Sequence, residues 1–183
     1  IENVDLSFSK AIVKNITLYD DKNNVLFNSP EVIANISFKN LKKGRIDELV
    51  VNSAVVNVIR DKDGVINFTK LSKTKSEEKP KNPLNKVVAS NVRVNYEDYT
   101  FPSKLERKIE NINAIVTASK EKLVETADIN IEDENIQLKT FFKDESNDKI
   151  TSLQGELRID KFLLDKDLLK SLVNNKKMYF SDV

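Results

Sequence analysis

Apolar and polar residues alternate with a period of two along most of the chain. This is the mark of strands that turn one face away from water. Val4, Leu6 and Phe8 alternate with Asp5 and Ser7. Ile16 and Leu18 alternate with Asn15, Thr17 and Tyr19, and Val32, Ala34, Ile36 and Phe38 with Ile33, Asn35 and Ser37. The cluster Asp20-Asp21-Lys22-Asn23-Asn24 predicts a turn, followed by a short strand over Val25–Phe27. A longer strand is expected over Ile46–Arg60, with Val56 and Val58 among its apolar set and a bend at Asn52-Ser53. Asp61-Lys62-Asp63-Gly64 then predicts a hairpin turn, from which Val65–Phe68 returns as a strand.

The second half reads the same way. Strands are expected over Val87–Tyr96 (Val92 and Val94 on one face), Ile109–Val116 (Ile112, Ala114, Val116), Glu125–Ile131, Asn135–Phe142 and Ile150–Ile159. One helix is expected near the C-terminus, capped by Asp165 or Asp167, with Leu168, Leu169, Leu172 and Val173 at helical spacing. The fold class is therefore mainly β, antiparallel, with one short helix. The polar run around Pro80 and Pro83 has no periodicity and predicts a charged linker at 71–86, between a first β unit at 1–70 and a second at 87–183. The halves share a motif, Asn-apolar-polar-apolar, seen as Asn15-Ile-Thr-Leu and Asn91-Val-Arg-Val, which reads as a weak internal repeat. Ile1 already lies in strand pattern, and the chain is expected to be a piece of a longer protein.

Composition narrows the chemistry. Of 183 residues, 39% are hydrophobic and 32% charged, which suits a thin structure with much surface. Thirty basic and 29 acidic residues leave a net charge of +1, so no global field favours nucleic acid or an anionic membrane. The chain contains no Cys and no His, which removes thiolate ligands, disulfides and the commonest general base. Three glycines are too few for phosphate-cradling loops or a nucleophile elbow. The acids Asp61, Asp63 and Glu132–Glu134 lie on turns, outside any apolar pocket that would tune them for catalysis. Asp61-Lys62-Asp63-Gly64 is faintly like the start of a calcium loop, but the distal bidentate Glu is missing and a plain turn explains it. No catalytic residue, metal ligand or cofactor is expected, and the chain does not read as an enzyme. The apolar stripes themselves fit two architectures, a sandwich core closed by a second sheet or an open groove with an apolar lining.

Residues 15–71 resemble the N-terminal region of the AsmA-like family, which includes TamB and its relatives. The resemblance rests on the strand Val32–Phe38, the Leu41–Ile46 connection, and a strand running through Val56 to Arg60 and on to Asp63, Gly64, Asn67 and Phe68. Its most specific part is the Arg-x-x-Asp-Gly-x-x-Asn hairpin, and the segment from Ser90 onward looks like the next unit. Glycine is scarcer here than in that family, and no N-terminal membrane helix is present in this sequence. The resemblance implies a bacterial envelope protein anchored in the inner membrane, with this segment in the periplasm. It also implies a β-groove that conducts phospholipid, and a possible outer-membrane β-barrel partner. Acyl chains would then rest on Leu6, Phe8, Ile16, Leu18, Val32, Ala34, Ile36, Phe38, Val56, Val58, Val92, Val94, Ile112, Ala114 and Val116, while Arg60, Asp63, Gly64, Asn67 and Phe68 form a structural hairpin. A surface adhesin or other protein-binding β module is the alternative.

Overall fold

The computed structural model describes residues 1, 3–20, 22–70, 84–101, 104–119, 124–144 and 153–163. Among these residues there are ten strands: β1 (Asn3–Leu6), β2 (Lys10–Tyr19), β3 (Val25–Asn35), β4 (Glu48–Asn52), β5 (Val55–Arg60), β6 (Lys86–Asp98), β7 (Leu105–Thr117), β8 (Thr126–Glu132), β9 (Ile136–Asp144) and β10 (Leu153–Phe162). They form a single sheet in the order β1-β2-β3-β4-β6-β7-β8-β9-β10. β5 follows β4 end to end in the same lane, between β3 and β6. Among the described residues no second sheet packs on this one, so the sandwich alternative is not the architecture found.

The mainly β expectation holds, with one correction to the antiparallel pattern. Both β4 and β5 pair parallel to β6, whereas the other neighbours are antiparallel. The physical reason is the length of the connection. A hairpin reverses the chain, whereas residues 61–85 are long enough to carry it back to the start of the lane. The two halves of the sequence thus join inside one ladder. Lys86, placed at the end of the linker by sequence, is the first residue of β6. Residues 71–83 of that linker, and the expected helix around Leu168–Val173, lie outside the described residues.

Two strand assignments also change. Val25–Phe27 and Val32–Asn35 belong to one continuous strand, β3, which ends before Ile36. Ser37 stops it by capping a one-turn helix, α1 (Phe38–Leu41), its side chain accepting from the Asn40 N–H. Asp47 braces this turn by accepting from the Ser37 N–H and from Asn40 Nδ2. Those donors hold its carboxyl below the usual range despite the opposing cost of burial. Val65–Phe68 likewise does not return as a full strand. Only Arg60 and Ile66 bridge, and Asn67–Lys70 form a 3-10 turn.

The side chain of Asn67 replaces the missing strand. Its Oδ1 accepts from the Ile59 N–H at 3.1 Å, and its Nδ2 donates to the Asn57 carbonyl at 2.9 Å. Buried Asn67 therefore satisfies the edge of β5 where β3 runs out. The preceding turn forms as expected. Asp61 Oδ1 accepts from the N–H groups of Asp63 and Val65, and Gly64 supplies φ 82°.

Candidate functional site

Residues opposite each other in neighbouring strands share a face, so the register traces rows across the sheet. One row runs Val4, Val13, Val32, Val51, Ala89, Ala114, Ile129, Thr140, Leu157. The row beside it runs Leu6, Ala11, Ala34, Leu49, Val87, Val116, Ala127, Phe142, Gly155. Both are almost wholly apolar and cross the entire sheet.

Farther along the strands the same face continues, but on the other sequence parity. Val32, Val51, Ala54 and Val92 form one buried cluster, with Ile16, Phe27, Leu49, Val56, Ala89 and Ile112 packed against it. Val51 and Ala54 are three residues apart, as are Ala89 and Val92. Regular alternation would put each pair on opposite faces. A residue in the left-handed region resolves this in four lanes: Asn15 (φ 51°), Ser53 (φ 54°), Asn91 (φ 52°) and Asn111 (φ 52°). In β3 the corresponding place is held by Pro30, level with Asn15 and Ser53. The row of special residues is a crease across the sheet. Each lane gains one residue there, and the apolar set stays on one side.

The choice of residues has a local cause. Asn visits positive φ more readily than other residues with a Cβ. Pro has no N–H and is tolerated in a strand where the ladder is already interrupted. The amides freed by the kink find partners: Asn91 N–H donates to Asn113 Oδ1 at 3.0 Å, and Ser53 N–H to the Ser90 carbonyl at 2.9 Å. The sequence repeat Asn-apolar-polar-apolar is this crease, seen one lane at a time.

Most of the residues expected to line the apolar face lie on it. Ile16, Leu18, Val56 and Val94 flank the crease on one side, with Val58 opposite Tyr96 farther out. Val32, Ala34, Ala114, Val116 and Leu6 lie in the two rows on the other side, and Val92 faces Ile112 at the crease. Three do not belong to the strand face. Phe8 lies in the bend after β1, Ile36 follows β3, and Phe38 is in α1. Their alternation with neighbours is accidental, because the Ser37 cap and the β1–β2 turn break the strand period.

Sequence reasoning missed Val13, Phe27, Val51, Ala54, Ala89 and Ile109. A strict period of two reads through the crease and assigns one side of it to the wrong face. The positive-φ signal of an Asn inside an apolar run could have found them.

Burial is graded along the face. Val32, Val51 and Val92 are 8% exposed and Ala54 1%, although no second layer covers them among the described residues. Towards the sheet edges Val4, Leu6, Leu157 and Ile159 are exposed. The opposite face is mainly polar, with an Asn95–Asn57 bond at 2.8 Å and an Arg93–Glu110 ion pair at 2.9 Å. It carries one apolar row as well: Ile12, Ile33, Val50, Val88 and Ile115.

Arg60 ties the hairpin to the second half. Its Nη1 lies 3.4 Å from Asp98 Oδ2, on the neighbouring strand β6. Asp98 is 2% exposed and also accepts from Tyr96 Oη at 2.7 Å, Thr100 N–H at 2.9 Å and Thr100 Oγ1 at 2.6 Å. Burial pushes its carboxyl up, but these donors and Arg60 outweigh that and hold it below the ordinary value. Burial of the ring, together with the same carboxylate, raises the Tyr96 phenol. This network is structural, and its groups are occupied with one another.

Among the described residues, no group of three or more Asp and Glu side chains is arranged to hold a metal ion. Among them also, no helix is long and apolar enough to cross a membrane. No protein-family model and no curated protein matches the chain.

Proposed function

We propose that the creased face is the lining of an open, curved β-groove that holds lipid acyl chains, within an AsmA-like protein of the bacterial envelope. The observation that carries this reading is the apolar face itself. It spans every lane of the sheet and has no second layer over it among the described residues. Val32, Val51, Ala54, Val92, Ala127 and Thr140 on this face nevertheless reach 8% exposure or less. A flat sheet leaves such a row far more open, so the reading makes this face concave. The lining offers no charged group in its two main rows, so it recognises hydrocarbon rather than a headgroup. Covering apolar surface with an acyl chain contributes about 25 cal/mol per Å², so the gain comes from lining residues that are still open, such as Val4, Leu6 and Leu18, and little comes from Val32, Val51 or Val92, which the sheet already buries. Inner-membrane anchoring, a periplasmic setting, a role in phospholipid transport and outer-membrane assembly, and contact with an outer-membrane β-barrel belong to the same proposal. They rest on the hairpin resemblance.

The test is photo-crosslinking in cells from position 112, on the creased face, and from position 115, on the opposite face. Lipid adducts from Ile112 and none from Ile115 are expected. A folded, expressed protein that yields no adduct from Ile112 overturns the reading.

A second reading, a β module that binds protein, is favoured by β1 and β10, the two edges of the sheet among the described residues. Such edges accept an added strand. It predicts protein adducts along β10 and no lipid adducts at Ile112.

A further inference from the structure

One corner of the sheet carries a surface that the groove reading does not use. Phe8, in the β1–β2 bend, stacks on Phe38 of α1 with ring centroids 6.1 Å apart and planes 11° from parallel. The bend and the helix are held together by Ile36 N–H donating to the Ser9 carbonyl at 2.9 Å. Phe8 remains 83% exposed, and Phe38 and Leu41 54% each. Phe38 and Leu41 are three residues apart on α1 and so project from one side of it. Stacked aromatic rings and a leucine projecting into water are an unpaired apolar surface.

Cations surround this surface. Residues 37–47 read Ser-Phe-Lys-Asn-Leu-Lys-Lys-Gly-Arg-Ile-Asp, with Lys39, Lys42, Lys43 and Arg45 against Asp47 alone. The stretch has a net charge of +3 in a chain whose total is +1. Asp47 is turned inward to brace Ser37 and Asn40. Lys39, Lys42 and Lys43 are exposed, and Lys42 Nζ sits 4.4 Å from the Phe38 ring centroid. Arg45 has Nε and Nη2 buried without hydrogen bonds, so this connection holds more donors than acceptors.

We infer that this corner docks on an anionic lipid surface. Phe8, Phe38 and Leu41 enter the interface, and the three lysines meet headgroup phosphates. Apolar tips ringed by Lys match the chemistry of an anionic bilayer surface. A second copy of the chain would set one +3 corner against another, so self-association is disfavoured. The inference does not depend on the groove holding lipid.

The test uses the 183-residue chain and flotation with two kinds of vesicle: phosphatidylcholine alone, and equal parts phosphatidylcholine and phosphatidylglycerol. The chain is expected to float with the mixed vesicles and not with the neutral ones. Joint Lys39→Gln, Lys42→Gln and Lys43→Gln substitution should weaken that binding about a hundredfold, at about fivefold per lysine. Replacing Lys22 and Lys62, which lie at the opposite end of the strands, should leave it unchanged. The sequence has no Trp, so Phe38→Trp gives a single indole reporter, and its emission should shift to the blue on mixed vesicles. Binding that ignores phosphatidylglycerol, an indole emission that does not move, or equal loss in the Lys22/Lys62 variant overturns the inference. Recovery of a protein partner at this corner, with no vesicle binding, overturns it too. Vesicle docking that persists in a Leu157→Asp variant, which charges an exposed position of the creased face in the last lane of the sheet, separates this surface from the groove.

Discussion

Substituting Asn91 by Val tests whether the crease keeps the apolar face on one side. Asn91 sits at φ 52° within β6, where a β-branched residue is strained. A residue with a Cβ loses about 1–2 kcal/mol in this region relative to an ordinary strand conformation, and Val lacks the local hydrogen bonding that softens the cost for Asn. The exposed bond from Asn91 Nδ2 to Ser53 Oγ, 3.3 Å long, disappears as well and removes about 0.5 kcal/mol. The expected loss is therefore about 1.5–2.5 kcal/mol. With a urea dependence of about 1–3 kcal/mol per molar, the unfolding midpoint should fall by about 1 M. Asn91→Gly supplies the second arm. It relieves the Cβ strain but gives back about 0.5–1 kcal/mol in chain entropy, so it should stay close to wild type. Lys139→Val introduces the same side chain at an exposed position in β9 with ordinary φ, and should change stability by less than about 0.5 kcal/mol. If Asn91→Val matches wild type, or Asn91→Gly loses as much as Asn91→Val, the left-handed conformation is not what the position requires.

Three further outcomes are expected. Asp98 titrates lower folded than unfolded, so its stabilising effect is present above the ordinary carboxylate value of 3.8 and is lost as pH falls through its folded value. Chemical denaturation from pH 5 downward should therefore show a steeper loss in wild type than in Asp98→Asn, and equal slopes would refute the assignment. Asn67→Ala leaves the Ile59 N–H and the Asn57 carbonyl unpaired at the β5 edge and should cost about 2–3 kcal/mol in urea unfolding. A Cβ on Gly155 would lie 2.5 Å from the Phe141 carbonyl oxygen and 2.7 Å from Phe142 Cδ1. Gly155→Ala should thus cost about 1–3 kcal/mol, read as a lowered thermal midpoint, and an unchanged midpoint would show that β10 can slide away freely.

The hairpin at Asp61–Gly64 is legible in the sequence because its determinants are local. An Asp side chain and a positive-φ Gly close the turn without help from distant residues. The strands β6 to β10 are legible for a similar reason, since alternation over ten or so residues identifies a strand whatever it pairs with. The lining is legible only within each run. Ile16 and Leu18 fall together, and so do Ile112, Ala114 and Val116, because each set lies wholly on one side of a crease residue. Val51 and Ala54 are lost because Ser53 stands between them. Phe8 and Phe38 fall on the lining only through a period that their turns have already ended.

The sequence by itself determined that this is a β protein with one strongly apolar face, since period-two patterning is a property of each strand alone. Only the tertiary structure decided which strands are neighbours, that β4 and β5 run parallel to β6, and that the crease residues form one line. Those depend on register, which is set between lanes by long-range ladders and by the return path through residues 61–85. No local stretch carries that information. An Asn that reads as a turn former in isolation becomes, aligned with its counterparts and Ser53 across four lanes, the device that holds the apolar face together.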